Sequence, residues 1–543
     1  MLSALVLAFV PQSLPPVPVP AENPSTPQKE LLGKVLFWDE QLSSTDTVAC
    51  GTCHVPSVGG VDPRSVALDE RLVHFGPDGI YGTGDDRVGS PGVPSADPAG
   101  LAVFHPTHGL EAQVTARRSF SMINSAFFPQ INWEGAAGPD FVDPESGVTV
   151  STVRAGLESQ ALGPILSEVE MAHSGRTWDD VRTKLENAVP LRLAEDLPPD
   201  VAAFVAGKSY PDLFALAFPT EPNPDAINAR RIAQALASYQ RSLISDQTPY
   251  DLWAQGDVTA LTPQEDAGRA VFNGAGNCVF CHPPPLFSDF SYQNTGVRPS
   301  VEDLGRELVT GLSIDRGRFR TTGLRNVGLR TRYFHNGQFE TLEEVVDFYV
   351  RGGDFTANQS TLIVPLNLSQ QQRADLIEFL RTGLTDPRVA AELPPFDRPT
   401  LFTESARVPV FVGAATPGTG GVAPRYVAEE PPTVGNPGFT LGVEHSTAGR
   451  PVLLAYSMQP SPVPGGTPIF GALVHLGLTP ATVLRPQGLL NDDGTGGGWA
   501  SISTPLPANP GLVGATFWSQ WFVLDDQAPG GLAATRGLRV TLF

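Results

Sequence analysis

The chain has 543 residues and a formal net charge of −21, because 57 acidic side chains outnumber 36 basic ones. This acidic balance argues against nucleic acid as a partner, since nucleic-acid-binding proteins present a basic face. Hydrophobic residues make up 41% of the sequence, which is enough to bury the cores of about three domains of ordinary size.

The N-terminus begins with a short apolar segment at residues 2–10, followed by a proline-rich stretch. This segment is too short to span a bilayer, which takes about 20 apolar residues. It is typical of a secretory signal peptide over residues 1–21, with cleavage near Ala21, although the basic region that usually comes first is missing. The alternative is a disordered tail. No other segment of the sequence could span a membrane, so we expect a periplasmic or otherwise exported protein.

Two segments of the chain follow the same plan. Residues 26–37, TPQKELLGKVLF, predict a helix that leads to the motif CGTCH at 50–54. Residues 262–272, TPQEDAGRAVF, predict a helix that leads to the motif CVFCH at 278–282. Both begin with Thr-Pro-Gln, a favourable helix start, and both contain Gly-x-x-x-Phe. The chain is therefore predicted to be internally duplicated.

All four cysteines of the chain lie in these two motifs. C-x-x-C-H is the attachment signature of c-type haem, in which two thiols bond to the haem and the histidine binds its iron. A Cys₄ zinc site gives no reason for a histidine after each pair. A redox dithiol explains only one pair, and a disulfide scaffold requires a short, cysteine-dense chain. We therefore predict two covalently bound haems, on Cys50, Cys53, His54, Cys278, Cys281 and His282.

The rest of the chain divides by pattern into a helical part and a β part. Apolar spacing and capping boxes predict helices at 228–244, 341–353 and 369–383. From about residue 396, Pro, Gly and Thr increase, and short apolar runs alternate with turn signals. This pattern predicts a linker at 396–430 and an all-β, sandwich-like domain at 431–543. The sequence does not indicate what that domain does.

A series of motifs follows in order along about two-thirds of the chain: LGKVLFWDEQLSSTDTVACGTCH, RRSFSMINSAFFPQINWEG, LESQALGPILSEVEM, DLGRELVTG, FRTTGLRNVGLRTRYFHNG and TLEEVVDFYVRGG. Together they resemble the bacterial di-haem cytochrome c peroxidases, a family that includes the di-haem enzyme of methylamine utilisation. The resemblance implies a mainly α fold with two cytochrome c-like haem domains, at 22–250 and 251–395, ahead of the β domain.

The resemblance also implies what the residues around the first haem do. The family reduces hydrogen peroxide at the N-terminal haem, here on His54, and relays electrons through the second haem. A Gln and a Glu of the family line the distal side of that pocket, and they match Gln160 and Glu170. A buried carboxyl group has a raised pKa and can shuttle a proton. Trp133 matches the tryptophan that the family places between its haems. Without the resemblance, each would be read as an ordinary surface or core residue.

The second ligand of each haem iron is harder to assign from the family pattern. Some family members close the N-terminal iron with a distal histidine, for which His108 is the first candidate, ahead of His74 and His105; the alternative is an open iron. The typical peroxidases give the second iron a methionine ligand, but none of the four methionines lies in the matching helix. Tyr349 takes that position, which predicts a tyrosine-ligated haem, as in the methylamine-utilisation enzyme. The alternative is a core tyrosine.

The family holds Ca²⁺ between its haems, and the matching positions here carry Arg118, Arg330 and Arg332. Arginines do not suit a cation site, so either guanidinium groups replace Ca²⁺ or the alignment is shifted.

Three functions stay open at this level. The first is a peroxidase that takes electrons from a small cytochrome c or a cupredoxin. The second is an enzyme that uses peroxide to oxidise a partner protein, which Tyr349 favours without deciding. The third is a non-catalytic electron carrier. The oligomeric state is also open, with a homodimer as one candidate.

Overall fold

The computed structural model describes residues 13–66, 70–428 and 430–543. The apolar segment predicted as part of a signal peptide lies outside these residues. Across the described ranges, no helix is long and apolar enough to cross a membrane.

The α-helices all lie in the first 390 residues of the described chain. They are α1 (Pro27–Trp38), α2 (Cys50–Cys53), α3 (Gly156–Ala161), α4 (Trp178–Asn187), α5 (Pro199–Val205), α6 (Tyr210–Ala217), α7 (Ala229–Ser242), α8 (Pro249–Ala254), α9 (Pro263–Asn273), α10 (Glu307–Thr310), α11 (Leu342–Arg351), α12 (Gln370–Glu378) and α13 (Pro387–Ala390). Capping explains several starts: Thr26, Thr262, Thr341 and Ser369 each accept a hydrogen bond from a first-turn N–H of the helix that follows. The helices predicted from the sequence are therefore confirmed, with small shifts at their ends.

Two helix pairs organise the helical part. α1 packs against α7, and α9 packs against α12. Each pair meets at a glycine: a Cβ atom on Gly33 would lie 2.0 Å from the carbonyl oxygen of Ala235, and one on Gly268 would lie 2.0 Å from that of Asp375. These are the glycines of the two Gly-x-x-x-Phe segments. The repeated sequence therefore produces a repeated close contact between helix backbones, directly ahead of each C-x-x-C-H motif.

Short two-stranded ribbons interrupt the helical part. They are formed by β1 (Val73–His74), β2 (Arg87–Val88), β3 (Pro91–Pro94), β4 (Ala112–Val114), β5 (Phe141–Val142), β6 (Thr149–Ser151), β7 (Tyr292–Gln293) and β8 (Phe319–Arg320). The four ribbons pair β1 with β2, β3 with β4, β5 with β6, and β7 with β8. The β3–β4 ribbon lies at the site described below.

The C-terminal part is built of β9 (Val410–Val412), β10 (Arg425–Val427), β11 (Thr440–Thr447), β12 (Pro451–Ser457), β13 (Thr467–Ile469), β14 (Ala472–Val474), β15 (Val483–Leu489), β16 (Asn491–Asp492), β17 (Gly497–Ser503), β18 (Thr516–Leu524), β19 (Leu532–Ala534) and β20 (Gly537–Thr541). One sheet has the order β10-β11-β17-β16, and the other has the order β15-β12-β18-β20-β9, with β19 beside β18. We call residues 410–541 the β unit. Its pairings are antiparallel, and side chains of both sheets, such as Val443 and Trp521, share one core. This agrees with the β character predicted for this part of the chain.

The segment predicted as a linker is packed against the helical part. Phe396 and Leu401 belong to the same core as the helices α1 and α7. The carboxylate of Glu40 accepts hydrogen bonds from the backbone N–H groups of Phe402, at 2.6 Å, and Thr403, at 3.1 Å. β9 and β10 also fall within residues 396–430 and belong to the β unit. The Pro- and Gly-rich composition marks an irregular backbone here, and its packing depends on distant residues.

We expect Gly268→Ala to lower the free energy of unfolding by about 1–3 kcal/mol, because the added methyl group overlaps the backbone of α12 and the helices must separate. Urea unfolding followed by far-ultraviolet circular dichroism measures the change. Gly156→Ala is the matched control, since a Cβ atom there comes no closer than 3.3 Å to another group. Equal losses in the two variants would contradict the role assigned to the repeated glycine.

Candidate active site

Two cavities lie beside the two C-x-x-C-H motifs. The first has a volume of about 450 Å³ and is lined by the cysteines and the histidine of the first motif; we call it the His54 cavity. The second has a volume of about 240 Å³ and is lined by the corresponding residues of the second motif; we call it the His282 cavity. Gly51, inside the first motif, lies directly on the ring of Trp38, where a Cβ atom would come within 2.2 Å of a ring carbon. This contact seats the first motif on α1.

The two motif histidines are held in the same way. Nδ1 of His54 lies 3.2 Å from the carbonyl oxygen of Gly60, and Nδ1 of His282 lies 2.9 Å from that of Phe287. Because a carbonyl oxygen can only accept, Nδ1 carries the hydrogen in both rings, and Nε2 keeps its lone pair. Burial lowers the pKa of both rings, which favours the neutral form that binds a metal. Both histidines are therefore prepared to bind an iron through Nε2.

None of the four cysteines forms a disulfide bond. Burial raises the pKa of Cys50 and of Cys278 to about 12, so both are protonated at neutral pH. A redox-active dithiol requires the opposite, a lowered thiol pKa. Two thiols and one oriented histidine at each cavity therefore fit a c-type haem better than a dithiol.

Gln160 and Glu170 both line the His54 cavity. Gln160 lies near the end of α3, and Glu170 follows an irregular segment after it. Burial raises the pKa of the Glu170 carboxyl above its ordinary value of 4.5, because loss of hydration disfavours the charged form. The cavity thus combines a metal-binding histidine with a buried carboxyl group that can exchange a proton.

Trp133 lies on the wall between the two cavities. Both cavities are lined by Arg118, Ser119, Phe120 and Trp133. The indole Nε1–H of Trp133 donates to the carbonyl oxygen of Arg118 at 2.7 Å, and the carbonyl of Trp133 accepts from the N–H of Arg320 at 2.7 Å. The indole is therefore fixed in orientation where it borders both cavities.

Tyr349 lines the His282 cavity. Its ring packs beside Phe334 and Phe348, with centroid distances of 6.1 and 5.2 Å. Burial raises the pKa of its phenol above the ordinary value of 10.0. Within the part of the chain that the structure describes, no hydrogen bond to the Tyr349 hydroxyl is formed, so the group lacks the partner that a core tyrosine normally has.

His108 lies outside the His54 cavity. Its ring stacks on His105, with a centroid distance of 5.3 Å, and packs near Phe75 at 5.9 Å. Burial and the neighbouring histidines lower its pKa to about 4. Among the described residues that line the His54 cavity, His54 is the only histidine; His74 and His105 also lie elsewhere. The structure therefore does not bring the predicted distal histidine to this cavity.

The three arginines at the positions matching the family's Ca²⁺ site all line the His282 cavity, and Arg118 also belongs to the wall that borders both cavities. Arg118 donates to the backbone carbonyl of Arg332, and in the described part of the chain Nε of Arg118, Arg330 and Arg332 has no hydrogen-bond partner. Burial together with the nearby Arg330 lowers the pKa of Arg118 to about 9, and burial lowers that of Arg330 to about 10. No group of three or more Cys, His, Asp or Glu residues suited to a metal ion occurs among the described residues. The wall carries buried, incompletely neutralised positive charge.

One residue at this wall was not singled out from the sequence. His335 lines the His282 cavity, stacks on Phe319 at 3.5 Å and lies edge-on to Trp133 at 6.2 Å. It sits within the YFHNG segment, but no ligand-type spacing distinguishes it, and only the fold brings it to Trp133.

Comparisons with known proteins identify the family of this chain. The family model for di-haem cytochrome c peroxidases matches residues 27–259. Methylamine utilization protein MauG of Methylorubrum extorquens is 32% identical over 373 residues, which cover 68% of this chain and 82% of that protein. Cytochrome-c peroxidase IdrP1 of a Pseudomonas species is 30% identical over 431 residues, which cover 73% of this chain and 90% of that protein. This chain belongs to the di-haem cytochrome c peroxidase family.

A solved structure extends the comparison to three dimensions. The crystal structure of a MauG-like protein associated with microbial copper homeostasis matches with a TM-score of 0.50 and 26% identity, over 74% of this chain and 99% of that one. Membership of the family identifies the chain as an oxidoreductase of the peroxidase type that uses haem cofactors. The resemblance seen in the sequence is therefore confirmed.

We expect Trp133→Phe to lower the free energy of unfolding by about 1–3 kcal/mol, because the carbonyl oxygen of Arg118 loses its donor in a buried wall. Urea unfolding of the holoprotein measures this loss. Trp178→Phe is the control, since the indole N–H of Trp178 makes no hydrogen bond in the described chain. If the two variants lose equal stability, the hydrogen bond to Arg118 does not hold the wall.

Proposed function

We propose that this family member reduces hydrogen peroxide in the His54 cavity and exchanges electrons with a second c-type haem in the His282 cavity. The observation that carries the proposal is the shared wall: Trp133 borders both cavities, and among the described residues only the His54 cavity is also lined by carboxyl groups, those of Glu134, which is paired with Arg117, and of Glu170, whose pKa is raised by burial. Cys50 and Cys53 would attach the first haem and Cys278 and Cys281 the second. Such attachment takes place outside the cytosol, which supports export to the periplasm.

The chain's own residues supply binding and proton transfer. When bound, the haems supply the redox chemistry, in which H₂O₂ takes up two electrons and two protons and yields two water molecules. His54 and His282 present Nε2 as iron ligands. The carboxylate of Glu170 accepts a proton from one peroxide oxygen and returns it to the other, which makes water the leaving group. The side-chain amide of Gln160 donates a hydrogen bond that orients peroxide toward Glu170.

Electron exchange between the two sites is assigned to Trp133. Its indole is an extended π system held by the hydrogen bond to Arg118, and a fixed aromatic ring that borders both sites offers a short path for an electron. The donor would be a small cytochrome c or a cupredoxin, for which the acidic surface of this chain provides attraction if the donor is basic.

Positive charge in the wall takes the place of Ca²⁺ in this proposal. Among the described residues, the Nε–H groups of Arg118, Arg330 and Arg332 find no acceptor. The propionate carboxylates of a haem are anions that such donors stabilise through charge-assisted hydrogen bonds. Arg332 is paired with Glu340, but a divalent cation at the same place would still be repelled by the guanidinium groups of Arg118 and Arg330. We therefore propose two haems and no inter-haem Ca²⁺.

A second candidate function is favoured by Tyr349. A phenol without a hydrogen-bond partner in the His282 cavity is positioned to become an iron ligand. Burial alone favours the neutral phenol, and a bound ferric iron reverses that preference by stabilising the phenolate. An anionic ligand stabilises oxidised iron, which suits an enzyme that stores oxidising equivalents and passes them to a partner protein. In this variant of the proposal the partner protein replaces the small electron donor.

We expect peroxide added to the ferric holoprotein to react at a rate that rises with pH through a midpoint above 4.5, the ordinary value for Glu. Only the deprotonated carboxylate accepts a proton, and burial has raised the pKa of Glu170. Glu170→Gln should remove this inflection and slow the reaction by about 10²–10⁴-fold. Stopped-flow absorption measures both effects.

Glu168→Gln is the matched control, because Glu168 is exposed and does not line the cavity. Its reaction rate and pH profile should equal those of the parent protein. No reaction of the ferric or half-reduced parent protein with peroxide would overturn the proposed function and leave the electron carrier as the alternative.

We expect Tyr349→Phe to change the ferric electron paramagnetic resonance spectrum of one haem and to raise its reduction potential, since an anionic ligand is lost. Spectroelectrochemistry measures the potential. Tyr333→Phe is the matched control: Tyr333 lines the same cavity, but its hydroxyl donates to the carbonyls of Val327 and Arg330, at 3.3 and 3.2 Å. This control should lose stability with an unchanged spectrum. An unchanged spectrum in Tyr349→Phe would identify Tyr349 as a core residue.

A further inference from the structure

The β unit touches the helical part at a loop that leads to the His54 cavity. The carboxylate of Glu444, on β11, is fully buried at 0% exposure. One of its oxygens accepts a hydrogen bond from the backbone N–H of Leu110 at 2.8 Å, and the other accepts from Nε of Arg425 at 2.8 Å. Arg425 also forms an ion pair with Glu111, at 3.1 Å. The buried carboxylate of Glu444 thus joins the β unit to residue 110, and its partner Arg425 joins the unit to residue 111.

The packing around this carboxylate is close on both sides. A Cβ atom on Gly442 would lie 2.8 Å from the Leu110 side chain, and one on Gly109 would lie 2.2 Å from a carboxylate oxygen of Glu444. Gly109 has a positive φ of 62°, a conformation that favours glycine. Beside this contact, Phe104 stacks on Trp499 of β17 with a centroid distance of 6.0 Å. The loop at 104–111 is therefore fitted to the β unit.

The same loop continues directly into the wall of the His54 cavity. β4 begins at Ala112 and pairs with β3, and beyond β4 the backbone N–H of Thr115 donates to the carbonyl of Ser90 at 3.1 Å. Ser90, Pro91 and Gly92 on one side of this ribbon and Thr115 on the other line the cavity. Residues that contact the β unit and residues that line the cavity are thus neighbours in one short ribbon.

The ribbon in turn holds the segment that carries Glu170. The N–H of Val93 donates to the carbonyl of Val169 at 3.3 Å, and Nε2 of Gln113 donates to the carbonyl of Glu168 at 2.8 Å. Gly92 lies so close to this segment that a Cβ atom on it would meet the Val169 carbonyl oxygen at 1.9 Å. The two residues that precede Glu170 are therefore fixed by β3 and β4.

We infer that the β unit positions the distal wall of the His54 cavity, and that Glu444 is the positioning residue through which it acts. Glu444 does not reach the cavity itself. It holds the backbone N–H of Leu110 by a hydrogen bond, and Leu110 lies two residues before β4. The ribbon of β3 and β4 then holds the segment that ends at Glu170 through hydrogen bonds to the carbonyls of residues 168 and 169. The inference rests on the proposed function only in assigning peroxide chemistry to this cavity; the mechanical link is independent of it.

The test uses the full-length holoprotein with Glu444→Ala and Glu444→Gln. Hydrogen exchange read by mass spectrometry should show the Leu110 amide and the backbone of 89–93 and 112–117 exchanging about 10–100-fold faster in Glu444→Ala, since a hydrogen bond to a buried charged group is lost. The ferric resonance spectrum of the N-terminal haem should change, and that of the C-terminal haem should not. Glu444→Gln should restore part of the protection, because its amide oxygen still accepts from Leu110.

Asp525→Ala is the matched control. Asp525 is another buried carboxylate of the β unit, at 1% exposure, but it accepts hydrogen bonds from Thr419 and Gln527, which lie within that unit. Its loss should destabilise the β unit without changing exchange at 89–93 or the N-terminal haem spectrum.

The possible results separate the two proposals. Faster exchange confined to the β unit in Glu444→Ala, or equal changes in Asp525→Ala, would overturn the positioning role. A coupled change in exchange and in the N-terminal haem spectrum supports it. If that coupling is found while the parent protein does not react with peroxide, the proposed function fails and the positioning role stands.

Discussion

The hydrogen bond from the Trp133 indole to the Arg118 carbonyl stabilises the wall that the two cavities share. This wall has a cavity on either side, so each of its residues contributes to two environments at once. A side chain there cannot move without changing both cavities. The rest of the helical part serves to bring two C-x-x-C-H motifs to opposite faces of this wall, and the repeated glycine contacts of α1 with α7 and of α9 with α12 achieve this by the same means on each side.

Burial shifts the pKa of an acidic group and of two basic groups at and near this wall in opposite directions. It raises the pKa of the Glu170 carboxyl, because loss of hydration disfavours the charged form. It also lowers the pKa of Arg118 and Arg330, because their guanidinium groups have lost water without gaining enough hydrogen-bond acceptors. Buried cations with free donors are costly in a chain considered alone. In the proposed holoprotein, the propionate carboxylates of the haems would accept hydrogen bonds from these guanidinium groups and balance their charge.

The β unit shows how a domain outside the recognisable family core can still influence its chemistry. Its sheets pack around their own core, and its contacts with the loop at 104–111 include a buried carboxylate, close packing at Gly109 and Gly442, and an aromatic stack. These contacts fall on the loop between β3 and β4, and the cavity is lined by Pro91 and Gly92 of β3 and by Thr115, directly after β4. The coupling therefore needs no long pathway: Glu444 and the cavity wall are joined by one ribbon and its hydrogen bonds.

The sequence by itself determined the local features of this protein. Two C-x-x-C-H motifs, the helices ahead of them and the capped helices α11 and α12 follow from spacing and from side chains that act within a few residues of themselves. The family's motifs also placed Glu170, Gln160, Trp133 and Tyr349 at the two sites. The tertiary structure decided everything that depends on distant contacts: that Trp133 borders both cavities, that His108 stacks on His105 instead of facing His54, that residues 396–405 are packed, and that Glu444 meets Leu110. Apart from the stack of His108 on its near neighbour His105, these contacts join residues tens to hundreds of positions apart, and no local pattern encodes which of them will meet.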